Sequence, residues 1–283
     1  MVVNEFAGLG IDQHLIDAPG PVATLANGCF CCRDQGDLAA TLTAMFAARR
    51  AGQLGDFDLV VIEASGLADP SAVAMLLAGN AELGRLFELR TVVACVDATR
   101  GAELAAGEET LLRQIALADV VAITKSDLAG ADLAVAAEAM VAAINPAAAI
   151  LPVRFGAASL DSLLALRGGR SRFVATAPAG HGGLGRGEIV SDQDWDWQAF
   201  SLAMQLLGEV RGPDLLRVKG LLRIGGRTGP VLYQRVGHLA HPPVELPAWP
   251  DGVRRTRLAV ITRDIPLAAI EALIGAAMAV TRG

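Results

Sequence analysis

Lysine is almost missing from this 283-residue chain: Lys125 and Lys219 are the only two, and arginine supplies the rest of its 24 basic residues. Set against 30 acidic residues, these leave a net charge of -6 at pH 7. No basic stripe of the kind nucleic acid requires is present. Charge of either sign is scarce, at 19% against the roughly 25% of an ordinary soluble domain. Aromatic side chains are scarcer, at 4% with a single tyrosine, while 53% of residues are hydrophobic. Disorder is therefore excluded as the main state, and the core is expected to consist of small aliphatic side chains.

Long uninterrupted apolar runs are also lacking. The stretch from Ala134 to Val153 is broken by Glu138, Pro146 and Pro152, short of the ~20 apolar residues a spanning helix needs. The opening MVVNEF has neither a basic n-region nor an apolar h-region, so it does not read as a secretory signal. Of four cysteines, three crowd into Cys29-Phe30-Cys31-Cys32, where neighbours cannot easily pair, so a disulfide framework is excluded. The expectation is a cytoplasmic protein with no membrane segment and no nucleic-acid partner.

Up to about Phe155, short β-rich runs alternate with helical patterns, the sequence form of repeated βαβ units around a mostly parallel sheet. Strands are expected at Val2–Phe6, Val22–Leu25, Leu59–Glu63, Thr91–Val96, Val120–Thr124 and Ile150–Val153. Between them the clearest helix is DLAATLTAMFAARR, in which Leu38, Leu42, Met45 and Phe46 make an apolar stripe. After Leu166 the chain turns rich in glycine, arginine and small residues, which reads as a linker over 167–193. Strand-like LLRVKGLLRI, GPVLYQRVGHLA and RLAVITRDI then precede the helical PLAAIEALIGAAMA, giving a smaller α+β domain over 194–283.

Three short segments carry chemistry. ITKSDL, from Ile123 to Leu128, follows an apolar strand and resembles a guanine-recognition loop. The Asp127 carboxylate would accept paired N–H donors of the base and the Lys125 stem would lie over its face, with Thr124 where many GTPases have asparagine. The same pattern also suits a helix start with Asp127 as its N-cap. In VIEASGLADP, Glu63 ends a strand and Gly66 follows it, at the sheet edge where ligands of open α/β sheets sit. There an acid can hold the water shell of Mg²⁺ or orient an attacking water, and a glycine N–H can approach a γ-phosphate. The alternative is a turn closed by Gly66 and Pro70, with Glu63 solvated. In ANGCFCC the three thiols suit Zn²⁺ or another thiophilic ion, although buried structural thiols or a redox pair remain open. Cys95, in the apolar TVVACVDA, reads as core.

In this order, NEFAGLGID, LANGCFCC, VIEASGLADP and ITKSDL resemble the CobW family of P-loop GTPases, a metal-handling group related to the hydrogenase and urease nickel-insertion GTPases. The resemblance runs from Val2 to about Phe155, and WDWQAF through ITRDI is similar to the family's C-terminal domain. It implies a P-loop-GTPase-like α/β domain over 1–166 and a metal site at Cys29, Cys31 and Cys32, to which Glu5 is a suited oxygen donor. It further implies guanine binding by Lys125 and Asp127 beside Thr124, and switch or catalytic roles at Glu63 and Gly66. The implied function is a GTP- and Mg²⁺-dependent metallochaperone that delivers Zn²⁺, or Co²⁺ or Ni²⁺, to a client metalloprotein.

The sequence departs from that family in one large respect. The family's Gly-x-x-x-x-Gly-Lys-Thr loop is not found, no Gly-Lys pair occurs, and VVNEF corresponds to the family's second strand. The glycine cluster Gly180–Gly187 lacks the lysine and reads as linker. The expectations are weakened GTP binding, a sheet without its first strand, and a complete phosphate loop encoded in frame upstream. In place of the family's histidine-rich run there is only His181, while His238 and His241, spaced closely enough to share an ion, read rather as exposed polar loop residues. The competing functions are a non-catalytic metal-binding module and a thiol redox sensor.

Overall fold

The computed structural model describes residues 2–4, 23–25, 35–64, 69–100, 103, 108–165, 184–250 and 252–281. They fall into two compact units, 1–90 and 91–283.

In the first unit, strand β1 (Val2–Asn4) lies between β2 (Ala23–Leu25) and β3 (Ile62–Glu63), all parallel. Helix α1 (Gln35–Arg50) follows the apolar stripe of the sequence, with Asp37 in its first turn and Arg49 and Arg50 in its last, as the helix dipole favours. Leu38 and Leu42 are buried, packing with Leu76 and Leu77 of α2 (Ser71–Gly79) and Leu83 of α3 (Ala81–Leu86). Asn80 separates the last two helices, and its Oδ1 accepts the N–H groups of Glu82 and Leu83, each at 3.1 Å. That is the satisfaction an N-cap supplies.

The second unit begins with three parallel strands in the order β4 (Val93–Asp97), β5 (Val120–Thr124) and β6 (Ala149–Pro152). Helix α4 (Glu109–Leu117) connects β4 to β5, and α5 (Gly130–Ile144) connects β5 to β6. Val120, Val121, Ala122 and Ile123 are all buried, as a strand covered on both faces must be. Helix α5 buries Ala137, Val141 and Ile144 at helical spacing. At its end the buried Asn145 directs Nδ2 at the carbonyls of Ile115, Ala116 and Ala118. The carboxyl ends of the strands align, with Asp97 opposite Thr124 and Ile123 opposite Pro152. A short helix, α6 (Leu160–Ala165), follows.

The rest of this unit is an antiparallel sheet of β7 (Leu184–Ser191), β8 (Leu215–Leu222), β9 (Val231–Val236), β10 (Leu239–Ala240), β11 (Val244–Glu245) and β12 (Thr256–Arg263). Its order is β10-β9-β8-β12-β7, with β11 also paired to β9. Helices α7 (Trp197–Arg211) and α8 (Leu267–Val280) pack on it. Four aromatics, Trp195, Trp197, Phe200 and Tyr233, cluster here: Phe200 meets Tyr233 edge-on at 4.9 Å and lies tilted against Trp195 at 5.5 Å. Around them the buried core is mostly aliphatic, with Leu215, Val218, Leu222, Leu258 and Ile270 among its members. Strands β4–β6 join this sheet in one unit through α4, which packs against β8.

One expectation requires correction. Residues 184–191, read as part of a linker, are strand β7 and pair with β12 along its full length. The glycines there serve close packing rather than flexibility: a Cβ on Gly187 would lie 2.3 Å from the Leu267 side chain, and one on Gly185 would lie 2.9 Å from Thr262 Oγ1. The remaining linker residues, 167–183, lie outside the described set. Among the described residues no helix is long and apolar enough to cross a membrane.

Candidate functional site

The best-defined constellation sits where β4, β5 and β6 end. Immediately after Thr124 the backbone of Lys125 turns into the left-handed region, φ +56°, where a non-glycine residue is uncommon and worth a functional reading. Its carbonyl accepts the N–H groups of Leu128 and Ala129, at 2.9 and 3.1 Å, closing a tight loop. The Lys125 Nζ donates to Asp97 Oδ2 at 2.6 Å. Asp97 is itself anchored, since Oδ1 accepts from the Thr99 backbone N–H at 2.9 Å and the Thr99 hydroxyl at 2.6 Å. The bond from Lys125, followed by those from Thr99, holds the Asp97 carboxyl down at about 2. It is ionised throughout the physiological range.

Asp127 is held from the other side. Its Oδ1 accepts the Phe155 backbone N–H at 3.0 Å, and no donor reaches Oδ2 among the described residues. Phe155 and Gly156 both have positive φ, +52° and +69°, in the two-residue turn that Arg154 and Ala157 close with a 2.9 Å hydrogen bond. That is the type I′ arrangement, rarely given a bulky residue at its first central position. Phe155 is 85% exposed and Leu128 72% exposed, so the loops that carry and anchor this carboxylate each present an apolar residue to solvent. The helix-cap reading of Asp127 fails: α5 starts at Gly130 behind Ala129, without a side-chain cap.

Of the residues singled out from sequence, Thr124, Lys125 and Asp127 thus share one sheet edge. The Thr124 hydroxyl donates to the Val96 carbonyl at 3.2 Å, so it ties β5 to β4. Glu63 ends β3 in the first unit and is exposed, a setting that fits a carboxylate facing the water shell of Mg²⁺. Glu5, Cys29, Cys31, Cys32 and Gly66 lie outside the described residues. Among the described residues no three metal-ligating side chains cluster.

Two readings change. Cys95 is exposed rather than core, because β4 buries Ala94 and Val96 on one side and turns Val93 and Cys95 outward. His238 is half-buried rather than a loop residue in water: its Nε2 is buried, and burial, followed by the charge of Arg235, pushes its imidazole below 6.5.

Sequence reasoning passed over Asp97, Thr99 and Phe155. Asp97 was visible as an acid closing an apolar strand, but its register opposite Thr124 was not. Phe155 acts through its backbone N–H, which carries no side-chain signature.

Residues 1–152 match the family model described as the CobW/HypB/UreG nucleotide-binding domain, and residues 187–278 match that of the cobalamin synthesis protein CobW C-terminal domain. The chain is 29% identical over 275 residues to the zinc chaperone YjiA of Escherichia coli strain K12, covering 94% of this chain and 85% of that one. It is 28% identical over 319 residues to the zinc chaperone CobW of Pseudomonas aeruginosa PAO1, covering 99% and 84%. Among solved structures, the Zn(II)-bound YjiA GTPase from E. coli superposes with a TM-score of 0.70 at 24% identity, over 97% of this chain and 88% of that one. At that identity the likeness shows the fold alone. Since the nucleotide-binding model covers more than half of the chain and the C-terminal model most of the remainder, the chain belongs to the CobW/HypB/UreG nucleotide-binding family and carries the CobW C-terminal domain.

Proposed function

We propose that this protein is a guanine-nucleotide-dependent metallochaperone of the cytoplasm, one that binds and hydrolyses GTP and hands zinc to a client metalloprotein. The observation that carries the reading is the Asp127 carboxylate, anchored through one oxygen by Phe155 and open at the other, beside a lysine held in a left-handed turn. A carboxylate so presented accepts the two parallel N–H donors of guanine, whereas the adenine edge offers one donor beside an acceptor. The names of the relatives support zinc as the cargo. Cys29, Cys31 and Cys32 supply the soft donors zinc prefers, with Glu5 as the fourth ligand. Glu63, at the end of β3, and Gly66, three residues on, would sense Mg²⁺ and the γ-phosphate.

Coupling of the two ligands requires that the nucleotide favour one arrangement of the metal loop over another, because equal affinity shifts nothing. The connection from Cys32 to Asp37 in the first turn of α1 is short enough to transmit such a change.

A second reading, a metal-binding module without GTP chemistry, is favoured by one observation: the 283 residues contain no Gly-Lys pair. Calorimetric titration of this chain with GDP, GTP and xanthosine diphosphate in the presence of Mg²⁺ and Zn²⁺ decides between the two. The chaperone reading expects guanine binding and, in Asp127→Asn, a preference moved toward xanthine. Zinc uptake by a folded chain that ignores every nucleotide would replace it with the module.

A further inference from the structure

We infer that Asp97 is a positioning residue for base recognition, holding Lys125 across the mouth of the site through a carboxylate that Thr99 has oriented in advance. The inference rests on the guanine-recognition reading above and deepens it. Lysine is a flexible side chain, and immobilising it on a ligand costs rotamer entropy. Here that freedom is already reduced at both ends. The backbone end is fixed by the left-handed φ of Lys125, and the ammonium end by the 2.6 Å contact with Asp97 Oδ2. The acceptor does not swing either, since Thr99 occupies Oδ1 with its N–H and its hydroxyl. Only Oδ2 is left for the lysine.

The register of the sheet makes this possible. Asp97 stands opposite Thr124, and the Ala98 N–H donates to the Thr124 carbonyl at 2.9 Å, so the end of β4 and the start of the recognition loop move as one piece. The lysine stem is thereby drawn along the carboxyl edge of β4 and β5 instead of extending into solvent. A methylene stem laid flat in this way is the surface a planar base can cover.

Both partners keep solvent access, with side-chain exposures of 56% for Lys125 and 25% for Asp97. Surface pairs of this kind contribute little to folding stability. Their value lies in preorganisation, which acts on affinity. Removing the pair should therefore weaken nucleotide binding while leaving the fold in place, and should not alter which base is preferred, because Asp127 reads the base edge.

The test is a double-mutant cycle in the full chain, read as GDP affinity by calorimetry with Mg²⁺ present. Asp97→Asn is expected to weaken GDP binding about fivefold with an unchanged thermal melt and an unchanged preference for guanine over xanthine. Lys125→Met weakens it at least as much, and the double variant no more than Lys125→Met alone, since Asp97 acts only through the lysine. Thr99→Val, which loses the hydroxyl bond but keeps the backbone one, is expected to fall between wild type and Asp97→Asn, and serves if Asp97→Asn fails to fold. An unchanged affinity in Asp97→Asn, or losses that add in the double variant, would overturn the positioning role while leaving guanine recognition intact. A wild-type chain that binds no GDP would overturn both.

Discussion

Arg217 on β8 forms an ion pair with Asp119, the residue before β5, and both side chains are almost wholly buried. The pair sits at the amino end of the strand whose carboxyl end carries Lys125 and Asp127. Asp119 Oδ2 also accepts the Val92 N–H at 3.0 Å, and Arg217 donates to the Leu117 carbonyl at 3.3 Å. At the other end of α4, Arg263 of β12 bridges Glu109 and Asp214, each at 3.1 Å. The helix between β4 and β5 is thus clamped at both ends by arginines of the antiparallel sheet.

Breaking the buried pair from one side leaves a charge with nowhere to go. Asp119→Ala is expected to cost about 3–5 kcal/mol, the usual penalty for an orphaned buried charge. Replacing both partners with apolar residues of similar volume, as in Asp119→Leu with Arg217→Met, should restore most of that loss. Urea denaturation of the single and double variants measures it, and an additive double variant would mean that the two charges do not depend on each other.

Phe155 occupies a position that disfavours its side chain. Its left-handed φ costs a bulky L-residue about 1 kcal/mol, and with 85% exposure it buries little apolar area in return. Asparagine is at ease at that place in a type I′ turn. Phe155→Asn should therefore raise the melting temperature by a few degrees, with the backbone N–H to Asp127 retained. A lower melting temperature would show that the exposed ring stabilises the fold.

His238 makes stability depend on pH. Burial, with the nearby Arg235 charge, depresses its folded-state pKa below 6.5, so in mildly acidic solution the unfolded chain binds the proton more readily than the folded one. This contribution is complete above about pH 6.5 and is lost as pH falls below that value toward the folded-state pKa. Asp97 adds nothing to that slope, because its carboxyl, held at about 2, titrates far lower. Denaturation midpoints of wild type and His238→Gln measured between about pH 8 and about pH 5 should converge at the acidic end. Parallel curves would remove His238 as the cause.

Replacing Cys31 and Cys32 with serine should abolish tight zinc binding, since a hydroxyl does not stand in for a thiolate toward a borderline-soft ion. The far-UV spectrum should be unchanged. Zinc retained at one equivalent per chain would place the metal site elsewhere.

Much of this architecture is legible in the residues themselves. The unbroken VVAI before Thr124 predicts a strand buried on both faces, and Val120–Ile123 are buried in that way. The stripe from Leu38 to Phe46 predicts α1, and ITKSDL marks the loop that the sheet presents at its edge. Each signal is local, carried by periodicity or by a short run of residue types. Where the reading went astray, the deciding neighbour was distant in sequence. Gly185 and Gly187 looked like linker because Thr262 and Leu267, which press against them, lie far along the chain. Cys95 looked like core because composition does not say which face of β4 is covered.

By itself, then, the sequence determined most of the elements, though not β7, together with the family and the residue types available for base and metal chemistry, because short-range pattern and motif order encode them. Tertiary structure alone decided that Asp97 restrains Lys125, that a backbone N–H from Phe155 occupies one oxygen of Asp127, and that Arg217 locks the far end of the same strand. Those relationships depend on strand register and on groups 28 to 98 residues apart, and no local pattern carries information across such a separation.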